Sequence, residues 1–354
     1  MSHPYSFALH ETLLRVAGWL PDELLASARS LLADDRCGEV AEVLAFAGRR
    51  TVLPLSEDDL DTLTELLESD GVSPEVLHAV ELAPHNTPLL WRFSAEWHEV
   101  DLQEGEGENS PMTVAAFAAE DLLAAVEEEP GMRALWSAVR RPVGGARYPR
   151  PRVVYVAEVD DEESGTAELP ELVGRIQARL IAAGERDPQV ELLSVRSSWP
   201  DYQLAVRVEG KLLWSAAGDV EIKVARIFDE VDPETGPRFE PDRAKITDED
   251  TRNALISYLG SGTALLVTTA MLEDVVDTAQ GAVVPTSFRT DGTWVWTDAV
   301  AYYLEHHQLA PDPELVAHIE AAGGPPSAVD SVALGRAMEA LKSSRDDRPV
   351  WTTS

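Results

Sequence analysis

With 354 residues, 44% of them hydrophobic and 26% charged, the chain is long enough for two domains and too apolar to be disordered throughout. Its 63 Asp and Glu against 29 Lys and Arg leave a formal net charge of −34, which repels phosphate backbones and anionic membranes and argues against direct nucleic-acid binding. No apolar run approaches the roughly 18 residues of a membrane span, and the single cysteine, Cys37, has no partner for an intramolecular disulfide.

From residue 5 to about 83 apolar residues recur three and four apart, as in Leu24, Leu25, Ala28, Leu31 and Leu32, then Val40, Val43, Leu44 and Ala47. Pro21 suits a first helical position, ahead of Asp22 and Glu23. In PLSEDDLDTLTELLESDG, Ser56 is placed to cap a helix, Asp59 stands where a capping-box acid belongs, and Gly71 follows the end. A shorter helix starts at Ser73 and Pro74. Residues 1–83 are therefore predicted to be an all-helical domain.

Residues 84–150 read as a helical extension and linker: PLLWRFSAEWHEVDL is strand-like or amphipathic, QEGEGENSP is a polar loop, and helices resume over 112–142. After Arg152 the pattern becomes mixed. RVVYVAEV and QVELLSV read as strands around an amphipathic helix over 168–184, the order of a parallel crossover. DYQLAVRVEGKLLWSA reads as a hairpin whose second run has helical character, VEIKVARIF as a strand, and DEVDPETGPRFEPDR as turns. A helix is expected from about Thr247 to Gly260, then strands at TALLVTTA and AVVPTSF, the second held to an edge or bulge by Pro285. The fold class is thus α+β: an N-terminal helical domain, an α/β domain with a mixed sheet over 151–322, and a C-terminal helix with a loose tail over 323–354.

Chemistry-bearing residues concentrate at 287–307, SFRTDGTWVWTDAVAYYLEHH. Asp291–Gly292 is a strong hairpin turn, Trp294 and Trp296 fall on one face of a strand, and Thr297 or Asp298 caps a helix that ends at His306 and His307. Local rules account for this stretch as structure. Read as a site, Arg289, Asp291, Asp298 and the two histidines would converge on one pocket, where Arg289 would fork a carboxylate or phosphate, Trp294 or Trp296 would stack a base or sugar, and a histidine would act as acid or base. No cofactor motif is present, and no metal set: Glu96, His98 and Glu99 lack the HExxH spacing, and adjacent His306 and His307 diverge by about 100° on a helix.

Residues 259–320, in particular FRTDGTWVW, AVAYYLEHH and the PDPEL that follows, resemble a module of uncharacterised actinobacterial proteins, some similar to cytoplasmic immunity proteins of toxin systems. The resemblance covers under a fifth of the chain. It implies a stable intracellular interaction protein and carries no catalytic residues. Together with a first segment lacking the basic and long apolar regions of a signal peptide, it places the expected protein in the cytoplasm. The expected function is non-enzymatic binding of a basic protein through an acidic surface. The alternatives are a small-molecule or catalytic pocket at Arg289–Trp296, and a scaffold subunit forming homo- or hetero-oligomers.

Overall fold

Four helices open the chain: α1 (Ser6–Arg15), α2 (Asp22–Ala33), α3 (Cys37–Gly48) and α4 (Glu57–Ser69), with a 3-10 turn at Pro74–Ala79. The computed structural model describes residues 3–84, 87–97, 122–145, 149–160, 168–218, 220–232 and 234–346. The cap at α4 forms as its residues direct. Ser56 Oγ accepts from the Asp59 amide at 3.1 Å, and Asp59 accepts in return from the Ser56 amide at 2.7 Å. The same carboxylate takes the Thr12 hydroxyl at 2.5 Å and pairs with Arg15, so the cap also ties α4 to α1. Burial would raise the Asp59 carboxyl, but the hydrogen bonds from Arg15, Thr12 and Ser56 outweigh it and hold it below the ordinary carboxylate value.

These helices do not form a core of their own. The chain divides into two compact units, Met1–Gly218 and Asp219–Ser354, and the first includes a sheet. Strands β1 (Trp91–Ser94), β2 (Met132–Pro142), β3 (Arg152–Val159) and β4 (Gln189–Ser194) lie in that order, antiparallel except for the parallel pair β3–β4. The crossover between β3 and β4 is α5 (Leu169–Ala182). Strand β5 (Lys211–Ser215) pairs with Ala134–Ser137 of β2, and β1 with Val139–Pro142, so the two share the edge that β3 leaves open.

Burial on both faces explains where the sequence misled. In β2 the buried residues are Met132, Ala134, Leu135, Trp136, Ala138, Val139 and Arg140, a run without the alternation of a one-sided strand, and the expected helix over 131–142 is a strand. Residues 122–128 are helical, and 98–121 lie outside the described residues. One sheet face, with Ala138, Val154, Val156 and Leu193, closes the core of α1–α4. The other, with Val153, Tyr155, Val190 and Leu192, packs against α5. The helical module and the sheet share a core, and both belong to the unit Met1–Gly218. The expected hairpin at 201–216 is instead α6 (Asp201–Glu209) followed by β5, with Tyr202 and Val206 of α6 in the α1–α4 core.

The second unit is built on a mixed four-stranded sheet, β6-β13-β12-β9. Its strands are β6 (Lys223–Val224), β9 (Thr263–Leu266), β12 (Phe288–Thr290) and β13 (Trp294–Thr297), with β6 parallel to β13. Two hairpins flank it: β7 (Glu230–Asp232) with β8 (Gly236–Arg238), and β10 (Met271–Glu273) with β11 (Ala282–Pro285). Only two residues of the strand expected at 220–228 are in β6. Helices α7 (Glu249–Ser261), α8 (Asp298–His307) and α9 (Pro313–Ala322) cover the Trp294/Trp296 face, and α10 (Ser331–Asp346) covers the Val295 face. The N-cap of α7 is Asp248, not Thr247: its carboxylate accepts the Thr251 amide at 2.8 Å.

Two ionisable groups of the first unit, the buried His10 and the half-buried Glu185, give opposite pH dependences. His10 is buried, with Nε2 at 2.9 Å from the Leu192 carbonyl, and burial pulls its pKa down to about 4. Burial pushes the Glu185 carboxyl up to about 7 despite Arg152 nearby. Below pH 6.5 the unfolded chain protonates at His10 before the folded one does, so this histidine makes stability fall on acidification towards pH 4. Glu185 does the reverse, because the folded form takes up its proton first as pH falls from about 7 towards 4.5. Compared with wild type, His10→Gln is expected to gain urea stability between pH 7 and 5, and Glu185→Gln to lose it. Parallel profiles for all three proteins would refute the assignment.

Candidate functional site

The aromatic stretch at 287–307 folds as a hairpin running into a helix. Gly292, at φ +89°, makes the turn between β12 and β13 that a side chain would strain. Asp291, at the first corner, is the hub. One carboxylate oxygen accepts the amides of Thr293 and Trp294 at 2.9 and 2.8 Å. The other accepts the Tyr258 hydroxyl at 2.8 Å and His318 Nε2 at 2.6 Å. Burial alone would raise this carboxyl, but the two amides, Tyr258 and His318 hold it below the ordinary value. Burial and the carboxylate together push the Tyr258 phenol well up.

Asp274, fully buried, repeats the arrangement. One oxygen takes the amides of Val276 and Asp277 at 2.8 and 3.1 Å, the other the Tyr302 hydroxyl at 3.0 Å and His307 Nε2 at 2.6 Å. Burial opposes ionisation here too, and the donors, His307 foremost, outweigh it. Four donors saturate the lone-pair sites of a carboxylate, so neither aspartate has a free acceptor position for a substrate proton. Among the described residues, the second ring nitrogen of neither histidine meets a nucleophilic side chain. Both constellations anchor turns and helices.

Of the seven residues singled out from sequence, six fall into three sets and Trp296 stands apart in the core. Arg289 donates from Nε to Asp298 at 2.7 Å and from Nη1 to the Gly262 carbonyl at 3.1 Å, joining β12 to the start of α8 and the end of α7. Asp291 and Trp294 belong with Tyr258 and His318, whose ring lies 6.3 Å from that of Trp294. His307 belongs with Asp274 and Tyr302, and His306 lies against the Tyr302 ring at 4.4 Å. Both indoles are core residues. Trp296 is 0% exposed and donates to the Leu259 carbonyl at 3.1 Å, and a Cβ on Gly262 would stand 2.4 Å from its ring. Tyr258, Asp274, Tyr302 and His318 escaped the sequence reading because their partners lie 27 to 33 residues away. Among the described residues no group of three His, Cys, Asp or Glu side chains could hold a metal ion, and no helix is long and apolar enough to cross a membrane. His98 and Glu99 lie outside the described residues.

The helical module of the first unit carries a large excess of acidic residues. Residues 34–81 contain thirteen Asp and Glu and three Arg. Of the thirteen only Asp59 is buried; the other twelve are exposed. The density is greatest on α4, which has no basic residue and exposes Glu57, Asp58, Asp61, Glu65 and Glu68. Glu65 accepts the Tyr5 hydroxyl, and the other four make no ion pair among the described residues. Acids in the first turn favour a helix; Glu68 near the other end runs against the dipole. The α4 stripe therefore exceeds what helix stability calls for.

Comparison of the chain with protein-family models, curated proteins and solved structures gives no match.

Proposed function

We propose that the protein acts by binding a basic protein partner and not by catalysis, with the acidic surface of α3, α4 and the following 3-10 turn as its docking face. The observation that carries this reading is the exposure of twelve unburied acids against three arginines over residues 34–81. Such a face raises the association rate of a positively charged partner and disfavours anionic competitors. The occupied state of Arg289, Asp291, Asp298 and His307 supports it as well, since their donors and acceptors serve the fold. Immunity against a basic toxin is the form of this function that the resemblance of residues 259–320 favours, with the cytoplasm as its compartment.

The test is capture of proteins from native lysate at low and high salt, with two variants of equal charge change. One neutralises Glu57, Asp58, Asp61, Glu65 and Glu68; the other neutralises Glu234, Asp242, Asp250, Glu305 and Glu320, which are also exposed. A basic protein held at low salt and released at high salt is expected, with binding to the α4 variant roughly tenfold weaker and the control close to wild type. Equal losses in both variants, or no salt-sensitive partner, would overturn the reading.

A further inference from the structure

We infer that the first unit holds a site for a small dipolar molecule with an apolar body, of the class of a free apolar dipeptide. The site needs no part of the acidic stripe on α4. A cavity of about 660 Å³ opens between the first turn of α2, the end of α3 and the start of β1. That size lies within the roughly 300–1,000 Å³ of pockets that enclose small ligands. Trp19, Leu24, Phe46, Leu90 and Trp91 supply hydrocarbon and aromatic wall. Phe46 and Leu90, 51% and 50% exposed, offer apolar surface that the fold itself leaves open.

The aromatic wall is held in place before anything binds. Trp91 Nε1 donates to the Gly18 carbonyl at 2.6 Å, and the Arg140 guanidinium lies 4.0 Å from the ring centre on the indole face. Arg140 is itself buried, bound to both oxygens of Asp22 at 2.8 and 2.6 Å and to the Tyr202 hydroxyl at 3.0 Å. A rigid wall lowers the ordering cost of binding.

Charges of both signs line the cavity, and they differ in what they serve. Asp22 pairs with Arg140 and, at 3.2 Å, with Arg152, which also donates from Nη1 to the carbonyls of Arg186 and Asp187 at 2.5 and 2.6 Å. Three other lining groups make no ion pair among the described residues. Arg50 is exposed, its guanidinium 4.8 Å from the centre of the Phe46 ring and its N–H edges open to a guest. Glu23 is exposed and Asp187 half-buried, and neither carboxylate has a hydrogen-bond partner among the described residues.

These three stand on different walls. Arg50 follows the end of α3, whereas Glu23 lies in the first turn of α2. Asp187 is held against that turn by Gln189, whose side-chain amide donates to the carbonyls of Asp22 and Asp187 at 3.2 and 2.8 Å. A guest that is only anionic would meet Glu23 and Asp187 as like charges, and one that is only cationic would meet Arg50. A molecule with its carboxylate at the Arg50 wall and its amine at the α2 wall matches both. In a free amino acid the two charges share one carbon. A dipeptide separates them by about 7 Å of backbone and turns two side chains toward the aromatic surface between.

The experiment is isothermal titration calorimetry of the full chain at neutral pH with four probes: leucyl-phenylalanine, its N-acetyl form, its C-terminal amide, and glycyl-glycine. The free leucyl-phenylalanine is expected to bind about tenfold more tightly than each of the others, the scale of one charge-assisted hydrogen bond or one buried apolar side chain. Arg50→Gln is expected to bring the free dipeptide to the affinity of its amide and leave the amide unchanged. Glu23→Gln combined with Asp187→Asn is expected to bring it to the affinity of the acetyl form. Asparagine tolerates the left-handed φ of +52° at position 187, and circular dichroism checks that each variant is folded. Equal affinities for free and blocked dipeptide, a terminus preference that survives its variant, or no heat from any probe at millimolar concentration would overturn the site. None of these outcomes bears on the salt-sensitive capture that tests the acidic face.

Discussion

Replacing Glu191 by leucine is expected to destabilise the first unit by about 3–5 kcal/mol, the usual consequence of leaving a buried charge without its counterion. Glu191 on β4 is 0% exposed and Arg29 on α2 is 4% exposed, and they meet at 2.5 Å. Gln203 of α6 braces the pair, donating to Glu191 at 3.1 Å and to the Leu14 carbonyl at 2.8 Å. The pair thereby joins sheet, α1, α2 and α6 inside one core. Its satisfaction is incomplete, since Arg29 Nη1 and Glu191 Oε1 have no hydrogen-bond partner among the described residues. A buried ion pair so placed contributes little over an apolar pair of similar volume. Arg29→Met with Glu191→Leu is therefore expected to return the urea midpoint to the wild-type value or above it. A double variant as unstable as Glu191→Leu alone would refute this account of the core.

Asp291→Ala is expected to destabilise the second unit by about 3 kcal/mol, because a carboxylate that accepts four hydrogen bonds is lost together with its turn. Four donors lose their acceptor at once: the amides of Thr293 and Trp294, the Tyr258 hydroxyl and His318. The effect is best read locally, by hydrogen exchange across residues 288–300. Asp291→Asn keeps an oxygen for the two amides and is expected to lie between wild type and alanine. The sign of the pH dependence follows from the lowered carboxyl. Its contribution is complete above the ordinary carboxylate value of 3.8 and is lost as pH falls through the lower folded value. Unchanged exchange in Asp291→Ala would return Asp291 to the pool of candidate functional groups, since its bonds would then be dispensable to the fold.

What sequence reasoning read correctly is confined to a few neighbouring residues. The Ser56–Asp59 cap, the turn at Asp291–Gly292 and the split of Trp294 and Trp296 from Val295 follow from backbone geometry within four positions. The crossover from β3 through α5 to parallel β4 was legible for a related reason, as two apolar runs around one amphipathic helix. Composition likewise showed the acidity, and the structure adds that it is exposed on α4.

The sequence by itself determined the α+β character, the cap of α4, the turn at Asp291–Gly292 and the charge, because each is set by local torsions or by composition. Tertiary structure alone decided that 132–142 is a strand and 201–209 a helix, since burial on both sides of β2 erases the alternation that distinguishes the two. It also decided the unit boundary at Gly218, the pairing of Arg29 with Glu191 across 162 residues, and the partners of Asp274 and Asp291. Side chains brought together by long loop closure leave no periodic trace in the chain. Only the packing that repays the closure entropy selects them.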